Sequence, residues 1–341
     1  MSGVSVAGRE IAAGGDPYVI AEAGVNHNGD LAIALALIEA AAEAGADAVK
    51  FQTFSAEAIA TDAAAAADYA GGGTQRALLR GLELPPGAWP QLRDAAEAAG
   101  LAFLSTPFDS SAVATLTELG VPALKISSGD LTNTPLLREA AATGVPVILS
   151  TGMSTLEEVE RALADLGPAE VVLLHCLSAY PAPMQELNLA AIPLLAERFG
   201  RPVGFSDHTE GRAACVAAIA LGACCIEKHL TLDRTAEGPD HAASMEPDLF
   251  ALLVRDVHEA HAAIGRAEKA RQPSEENTAQ VARRSLVAAR ELEAGTVLTA
   301  EDLAAQRPAG GIEPTAIDEV AGRTLIRALG AGEQLAAEDL E

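Results

Sequence analysis

The sequence predicts an α/β protein, a (β/α)8 barrel followed by a small, mostly β domain. Two observations lead to this prediction. A unit of short apolar strand, polar tip, Ala-rich helix and Gly or Pro recurs eight times before about residue 270, and eight regular units are typical of a closed TIM barrel rather than an open doubly wound sheet. After residue 281 the chain changes to short β-prone pieces separated by turns, which indicates a second fold.

The eight predicted strands are short, and each ends in polar residues. They are 18–23, 48–53, 102–107, 123–127, 146–151, 171–177, 202–206 and 224–230. Helical spacing of apolar residues predicts helices at 31–44, 88–99, 111–119, 134–142, 155–166, 189–199 and 211–220, with a last barrel helix at about 247–270. The connection 54–84 is unusually long and rich in Ala and Gly, which predicts a mobile loop over the mouth of the barrel.

Composition places the domain boundaries. The 341 residues suffice for one barrel and an appendage, and we assign 1–272 to the barrel. Residues 273–281 are polar with a proline, which predicts a linker. Residues 282–341 form the second domain, in which the pattern Ala-Gly-x-x-Leu-x-x-Glu-Asp-Leu occurs twice, at 294–303 and 331–340.

The charge and the cysteines exclude several classes of protein. The formal net charge of −25 argues against nucleic-acid binding, because phosphate backbones repel an acidic surface. No apolar run reaches the length of a membrane span and the N-terminus does not resemble a secretion signal, so we expect a cytoplasmic protein that does not bind membranes. The four cysteines lack metal-ligand spacing and are expected to be buried and reduced: Cys176, Cys215, Cys224 and Cys225.

Polar residues at the strand tips predict one charged pocket. In this architecture chemistry lies at the C-terminal ends of the strands. An apolar barrel core cannot hold unpaired lysines and carboxylates without a large cost in free energy. The tip residues are Glu22, Lys50, Gln52, Thr106, Lys125, Ser127, Ser128, Ser150, Thr151, His175, Ser178, Ser206, Asp207, His208, Glu227 and His229.

His208 and His229 are the candidate metal ligands. They fall at the ends of two consecutive predicted strands, 202–206 and 224–230. Parallel neighbours in a sheet lie roughly 5 Å apart, so two imidazoles there can hold a divalent cation. The alternative is a pair of hydrogen-bonded core histidines, and we favour the metal.

Lys50 and Lys125 are the candidate anion-binding groups. Together with Ser127-Ser128-Gly129 and Ser150-Thr151-Gly152 they suit phosphate and carboxylate oxygens, which accept from lysine and from loop N–H groups. The alternative is an ordinary ion pair at the rim of the barrel.

Several other polar positions carry weaker signals. His27 in Asn26-His27-Asn28-Gly29-Asp30 fits turn chemistry better than ligation. His175 fits an interior histidine and a pocket residue equally well. Asp240 lies in a Gly-Pro-Asp-His loop, and Ser154-Thr155-Leu156-Glu157 predicts a capping box.

These motifs carry a family resemblance. The sequence resembles the sialic acid synthase family, including legionaminate and pseudaminate synthases, and its tail resembles the antifreeze-like (SAF) domain of those enzymes. The motifs that carry the resemblance are Ile20-Ala-Glu-Ala-Gly-Val-Asn-His-Asn-Gly29, Val49-Lys-Phe-Gln-Thr53, Ser105-Thr-Pro-Phe-Asp109, Lys125-Ile-Ser-Ser-Gly-Asp130, Leu149-Ser-Thr-Gly-Met153, Leu174-His-Cys-Leu-Ser-Ala-Tyr-Pro181, Gly204-Phe-Ser-Asp-His-Thr209, Ile226-Glu-Lys-His229 and Gly238-Pro-Asp-His241.

The resemblance implies a metal-dependent transferase that forms a carbon–carbon bond. Its substrates would be phosphoenolpyruvate and an N-acetylmannosamine-like amino sugar, and its products a nine-carbon 2-keto acid and phosphate. It implies Mn²⁺ or Mg²⁺ on His208 and His229, and a domain-swapped homodimer in which Arg307 reaches the sugar in the partner's barrel. The groups implied to contact phosphoenolpyruvate are Lys50, Thr106, Lys125, Ser128, Ser150, Ser178 and Ser206; those implied around the sugar are Glu22, Gln52, Tyr180 and Asp240.

The sequence departs from the family pattern at several positions. Asp130 stands where many members have Glu, and Ser178 where some have Asn, so both bear on sugar fit. The residues around Arg307 also differ, and the family's sugar-binding Asn has no counterpart in the loop at 70–75. The acceptor sugar and the choice of Glu22 or Asp240 as the base that activates water stay open.

Two other functions are compatible with parts of the sequence. One is a phosphoenolpyruvate-condensing synthase that makes a shorter 2-keto sugar acid, and the tail domain argues against it. The other is a glycan-binding protein with an inactive barrel, and the presence of all the pocket groups argues against that.

Overall fold

A computed structural model describes residues 3–61, 64 and 74–341 of the chain. The chain divides into two compact units, Met1–Gly265 and Arg266–Glu341. A short antiparallel hairpin, β1 (Val4–Val6) and β2 (Arg9–Ile11), comes first in the larger unit. Among the described helices, none is both long and apolar enough to cross a bilayer.

Eight parallel strands close into a barrel in the larger unit. The strands follow the chain order around the barrel, and the last pairs with the first. They are β3 (Tyr18–Gly24), β4 (Ala48–Thr53), β5 (Ala102–Pro107), β6 (Leu124–Ile126), β7 (Val147–Ser150), β8 (Val171–Cys176), β9 (Val203–Asp207) and β10 (Cys225–His229). The predicted fold class is confirmed, and the strand limits agree with the sequence to within one residue.

Ten helices are described in the larger unit. They are α1 (Leu31–Glu43), α2 (Ala56–Ile59), α3 (Gln75–Leu82), α4 (Ala88–Ala98), α5 (Ser110–Leu119), α6 (Thr134–Ala142), α7 (Leu156–Leu166), α8 (Ala191–Phe199), α9 (Ala213–Ala220) and α10 (Pro247–Ile264). Residues of α2 and α3 line the cavity at the C-terminal ends of the strands, as predicted for the connection 54–84, and the other helices pack around the barrel. The prediction of 247–270 for the last helix was too long. Gly265 follows Ile264 with φ +59, and a residue with positive φ commonly ends a helix.

Two further expectations are corrected. The connection 54–84 is helical in two places, α2 and α3, while its residues 62–63 and 65–73 lie outside the described part of the chain. The capping box of α7 is formed by Thr155 and Glu158 rather than by Ser154 and Glu157. Each hydroxyl and carboxylate of such a box satisfies a backbone N–H that the first turn leaves free.

The two-residue period of the strands separates two apolar layers. Side chains such as Val19, Val49 and Phe51 pack between the strands and the helices. The alternate residues, such as Ile20, Leu104 and Ile148, fill the barrel interior. Successive side chains of a strand point to opposite faces. The residues that face the barrel interior are therefore apolar along most of each strand and polar at its C-terminal end, as with Ile20 and Glu22 on β3.

The smaller unit is built around a short antiparallel pair, β11 (Ser285–Ala288) and β12 (Leu303–Gln306), with helices α11 (Glu276–Ala282) and α12 (Ile317–Val320). The predicted linker 273–281 is helical, because a helical turn at Pro273–Glu275 leads directly into α11.

The two copies of the sequence repeat fold alike. Each ends in a short helical turn, Ala300–Asp302 and Ala337–Asp339. In each turn the aspartate is buried and accepts hydrogen bonds from an arginine twelve residues earlier, Arg290 for Asp302 and Arg327 for Asp339.

The buried turn after β3 gives a test of stability against pH. His27 is buried, its Nδ1 accepts a hydrogen bond from the Gly29 N–H (3.0 Å), and burial lowers its pKa to about 4. The folded protein therefore binds fewer protons than the unfolded chain between pH 6.5 and 4, so this residue reduces stability as the pH falls, by about 3 kcal/mol in total.

We expect His27→Asn, which keeps an acceptor and does not titrate, to flatten the loss of unfolding free energy between about pH 7 and about pH 4.5. Urea unfolding of both proteins at several pH values measures the difference. Parallel stability profiles would contradict the assignment.

Candidate active site

The inward-facing residues at the C-terminal ends of the strands line a cavity of about 780 Å³. All fourteen site residues predicted in the barrel line it. They are Glu22, Lys50, Gln52, Thr106, Lys125, Ser128, Asp130, Ser150, Ser178, Tyr180, Ser206, His208, His229 and Asp240. The fifteenth, Arg307, belongs to the smaller unit, where it is exposed and its Nε donates to the Ala282 carbonyl oxygen (2.9 Å).

The floor of the cavity holds two buried lysines and two buried carboxylates. Lys50 pairs with Glu22 and lies 3.7 Å from Glu227, and Lys125 lies 3.4 Å from the same Glu227. Both lysines are thus ion-paired, as the alternative had it, but inside the barrel rather than at its rim, and their binding of an anion stays a prediction. Lys50 also donates to Thr106 Oγ1 (3.1 Å).

The two carboxylates of the floor differ in acidity. Burial, opposed by Lys50, raises the pKa of Glu22 to about 7. Burial also acts on Glu227, but the positive charges of Lys125 and Lys50 outweigh it and lower that pKa to about 2. Glu227 is therefore a permanent counter-ion, while Glu22 can accept or release a proton near neutral pH.

Small hydroxyls converge beside the lysines. Ser128 Oγ accepts a hydrogen bond from the Gly152 N–H (2.9 Å). A Cβ at Gly152 would lie 2.4 Å from Ser178 Oγ and 2.9 Å from Ser128 Oγ, so only glycine leaves room for both hydroxyls. Ser150 Oγ is buried and has no hydrogen-bond partner among the described residues. A buried hydroxyl without a partner at a cavity wall is suited to a ligand oxygen.

His208 and His229 face each other where the neighbouring strands β9 and β10 end. Their ring centroids are 5.5 Å apart, and the ring of Tyr180 lies 4.2 Å from that of His208. His208 Nδ1 lies 2.8 Å from the Leu177 carbonyl oxygen; this contact assigns the proton to Nδ1 and leaves the lone pair on Nε2. His229 Nδ1 is buried, has no hydrogen-bond partner in the described part of the chain, and lies 3.8 Å from Asp240 Oδ2.

Burial shifts the pKa values of Asp240 and His229 in opposite directions. Burial raises the pKa of Asp240 to about 6. Burial, reinforced by the positive charge of Lys50, lowers the pKa of His229 well below its ordinary value, so this imidazole is neutral at pH 7. Gly24 makes room for the group, because a Cβ there would lie 3.3 Å from carboxylate oxygens of both Asp240 and Glu22.

The chemistry of these donors fits a divalent metal. Two imidazoles with free lone pairs, close to a carboxylate, are a donor set that transition-metal ions accept. No group of three or more His, Cys, Asp or Glu side chains among the described residues is arranged to hold a metal. The candidate metal ligands are therefore the two histidines.

Several outcomes differ from expectation in detail. Glu227, predicted only as one of the polar tip residues, is the counter-ion of both lysines. His175 points away from the cavity, and its Nε2 lies 2.7 Å from the Leu187 carbonyl oxygen. Asp130 lines the cavity, but its oxygens accept from Ser127 Oγ (2.6 Å) and Asn133 Nδ2 (3.1 Å). The four cysteines are buried and free, as predicted.

The closed barrel, with its polar cavity at the strand tips, defines a TIM-barrel enzyme. The chain belongs to the NeuB family, whose model matches residues 37–269, and a SAF domain matches residues 283–341. The resemblance to sialic acid synthases, with the SAF domain, is thus confirmed.

Individual relatives are similar over nearly their whole length. The N,N'-diacetyllegionaminic acid synthase of Legionella pneumophila is 42% identical over 336 residues, which are 95% of this chain and 94% of the relative. The N,N'-diacetyllegionaminic acid synthase of Campylobacter jejuni is 43% identical and covers 89% and 94%. The solved structure of N-acetylneuraminic acid (sialic acid) synthetase from Leptospira borgpetersenii, in complex with citrate, matches with a TM-score of 0.74 at 34% identity, over 81% of this chain and 95% of that one.

The buried counter-ion Glu227 gives a second test. We expect Glu227→Gln to lower the unfolding free energy by about 3 kcal/mol, because it leaves two buried lysines with less compensating charge. Glu259→Gln, on the exposed face of α10, is the control and should change stability by less than about 0.5 kcal/mol. Inorganic phosphate should restore part of the loss in Glu227→Gln, because an anion can replace the missing charge. Equal stability of the two variants in urea unfolding would refute the role of Glu227.

Proposed function

We propose that this chain condenses phosphoenolpyruvate with an N-acyl amino sugar to give a nine-carbon 2-keto acid and inorganic phosphate. The observation that carries the proposal is the division of the cavity. The buried pair Lys50 and Lys125, surrounded by hydroxyls, suits a small phosphorylated acid, and the pair His208 and His229 lies in the same cavity. Family membership supports the class of reaction.

The acceptor is proposed to be an N-acetylmannosamine-type sugar. Among such sugars, the identities of 42% and 43% to two N,N'-diacetyllegionaminic acid synthases favour an acceptor that carries two acetamido groups. Such a sugar would occupy the part of the cavity lined by Gln52, Tyr180 and Asp240.

The anion site would act first by orientation and charge. Lys50 and Lys125 would bind the carboxylate and the phosphate, and nearby hydroxyls would direct the oxygens. His208 and His229 would hold Mn²⁺ or Mg²⁺, which when bound supplies Lewis-acid polarisation of the sugar aldehyde. The hydroxyls are those of Thr106, Ser128, Ser150, Ser178 and Ser206.

Glu22 would act as the general base. As C3 of phosphoenolpyruvate bonds to the aldehyde carbon, positive charge develops at C2, and Glu22 would take a proton from the water that adds there. Its pKa of about 7 suits this role at neutral pH, and Asp240, with a pKa of about 6, is the alternative. Lys50 and Lys125 would then neutralise the phosphate as its bond to C2 breaks.

The test of this function is a panel of acceptors. Purified protein is incubated with phosphoenolpyruvate, Mn²⁺ and one of N-acetylmannosamine, its 6-phosphate, or a diacetamido deoxy sugar of the legionaminate or pseudaminate series. Phosphate release is measured and the product is identified by mass. The absence of a nine-carbon keto acid with every acceptor would refute the proposal.

Removal of a candidate ligand should abolish turnover. We expect His208→Ala to lower kcat by at least about 10³-fold, because this imidazole would hold the metal ion that polarises the sugar aldehyde. Isothermal titration should show weakened Mn²⁺ binding in the same variant. His261→Ala, on α10, is the control. Full activity of His208→Ala would reject its assignment as a ligand.

The domain-swapped homodimer is also proposed, on the basis of the family resemblance. Arg307 is exposed in the smaller unit, and its guanidinium would contact the sugar in the partner's barrel. We expect Arg307→Ala to raise KM for the sugar about tenfold and KM for phosphoenolpyruvate much less, because a lost charged hydrogen bond weakens only the ligand it touches. Arg284→Ala, another exposed arginine of this unit, is the matched control. Equal effects on both KM values would count against the swapped arrangement.

A further inference from the structure

The loop that carries Asp240 begins directly after the last barrel strand. Residues 231–244 form this loop, and a backbone bridge between Leu230 and Met245 joins its two ends. At the base of the loop the Met245 N–H donates to the His229 carbonyl oxygen (2.8 Å), and the Thr231 N–H donates to the Met245 carbonyl oxygen (3.0 Å). The ends of the loop are thus fixed, and the position of Asp240 depends on what holds its middle.

Asn28, in the turn after the first barrel strand, contacts the middle of this loop at two points. Its Nδ2 donates to the Glu237 carbonyl oxygen (2.8 Å) and lies 3.2 Å from His241 Nε2. Thr231 Oγ1 donates to the Asp233 carbonyl oxygen and lies 2.7 Å from His241 Nδ1. The hydroxyl therefore accepts from Nδ1–H, and Nε2 is left to accept the second hydrogen of Asn28. One amide group holds the chain on both sides of Asp240.

Asn26 reaches the same loop by a second route. This side chain is buried, and its Nδ2 donates to the Leu230 carbonyl oxygen and to Ser244 Oγ, both at 2.8 Å. Ser244 Oγ in turn donates to the Asp240 carbonyl oxygen (2.6 Å). The backbone of Asp240 is therefore linked to the turn after the first barrel strand through two side chains.

Gly238 shows how closely the two loops pack. A Cβ at this position would lie 2.6 Å from His241 Cδ2 and 2.9 Å from Asn28 Oδ1, distances that real Cβ atoms do not adopt. Its φ of +152 is also in the range that favours glycine. The Gly-Pro-Asp-His segment therefore folds directly against Asn28.

We propose that Asn26 and Asn28 are positioning residues that hold Asp240 at the wall of the cavity beside His229. The two asparagines follow β3 and the loop follows β10, and these neighbouring strands close the barrel. Hydrogen bonds across this seam fix a carboxylate whose placement matters on the ångström scale for chemistry. The kinetic part of the test depends on the proposed condensation; the structural part does not.

Asn28→Gly is the variant of choice. Asn28 has φ +48 and is exposed, so glycine keeps the backbone without strain and removes only the amide. Asn188 has φ +47, is also exposed, and does not line the cavity; Asn188→Gly is therefore a matched control. Ser244→Ala separately cuts the route from Asn26.

Hydrogen exchange followed by mass spectrometry tests whether Asn26 and Asn28 hold the loop 231–244, without reference to activity. We expect peptides covering 231–246 to exchange about fivefold to tenfold faster in Asn28→Gly and in Ser244→Ala, with peptides of β4 to β8 unchanged, because only local opening becomes easier. Unchanged exchange of 231–246 in both variants, or the same acceleration in Asn188→Gly, would overturn the proposal.

Kinetics then test the consequence for Asp240. We expect kcat/KM for the acceptor sugar to fall about tenfold in Asn28→Gly, while the shift in melting temperature caused by phosphoenolpyruvate stays at the wild-type value, because Lys50 and Lys125 lie on other strands. A parallel loss of phosphoenolpyruvate binding would identify general damage and contradict a positioning role. If the wild type makes no keto acid with any acceptor, the proposed function fails. The exchange experiment still decides whether the two asparagines hold the loop 231–244.

Discussion

The mutual neutralisation of four buried charges is the interaction on which this barrel depends. Lys50 and Lys125 are fully enclosed, and a lysine taken out of water without a partner carries a cost of several kcal/mol. Glu22 and Glu227 supply the compensating charges within the same cavity. Each of the four comes from a different strand, so the cluster exists only when the barrel is closed. Polar character is therefore confined to the strand tips, while the rest of the interior is apolar.

The same cluster explains how an acidic protein could provide the anion site proposed above. The net charge of −25 is spread over the molecule, and salt screens such exposed charges beyond about 10 Å. The lysines act at contact distance from the buried floor of the cavity, where charge interactions are stronger than at the surface. Glu227 remains ionised between them, and Glu22, with a pKa of about 7, can become neutral when negative charge enters.

The fold was predictable because its signals are local and repeated. The strand Ala48–Thr53 agrees with the sequence analysis at both ends, since a short apolar run between breakers and a polar tip has few other folded forms. Much of the site followed from the polar strand tips, which placed Glu227 and His229 in one charged pocket. The tips alone cannot show which strands face each other across the barrel, so the contact of Glu227 with Lys125 was not foreseen. The hydrogen bonds of Asn28 likewise join residues about two hundred positions apart in sequence, and a turn motif alone does not reveal such partners.

The smaller unit contains the same Arg–Asp arrangement in each of its two sequence repeats. Arg290 with Asp302 and Arg327 with Asp339 are the same arrangement formed twice, and the two copies meet where Leu292 bridges Leu329. A buried aspartate held by an arginine therefore fixes equivalent turns in both halves of this unit.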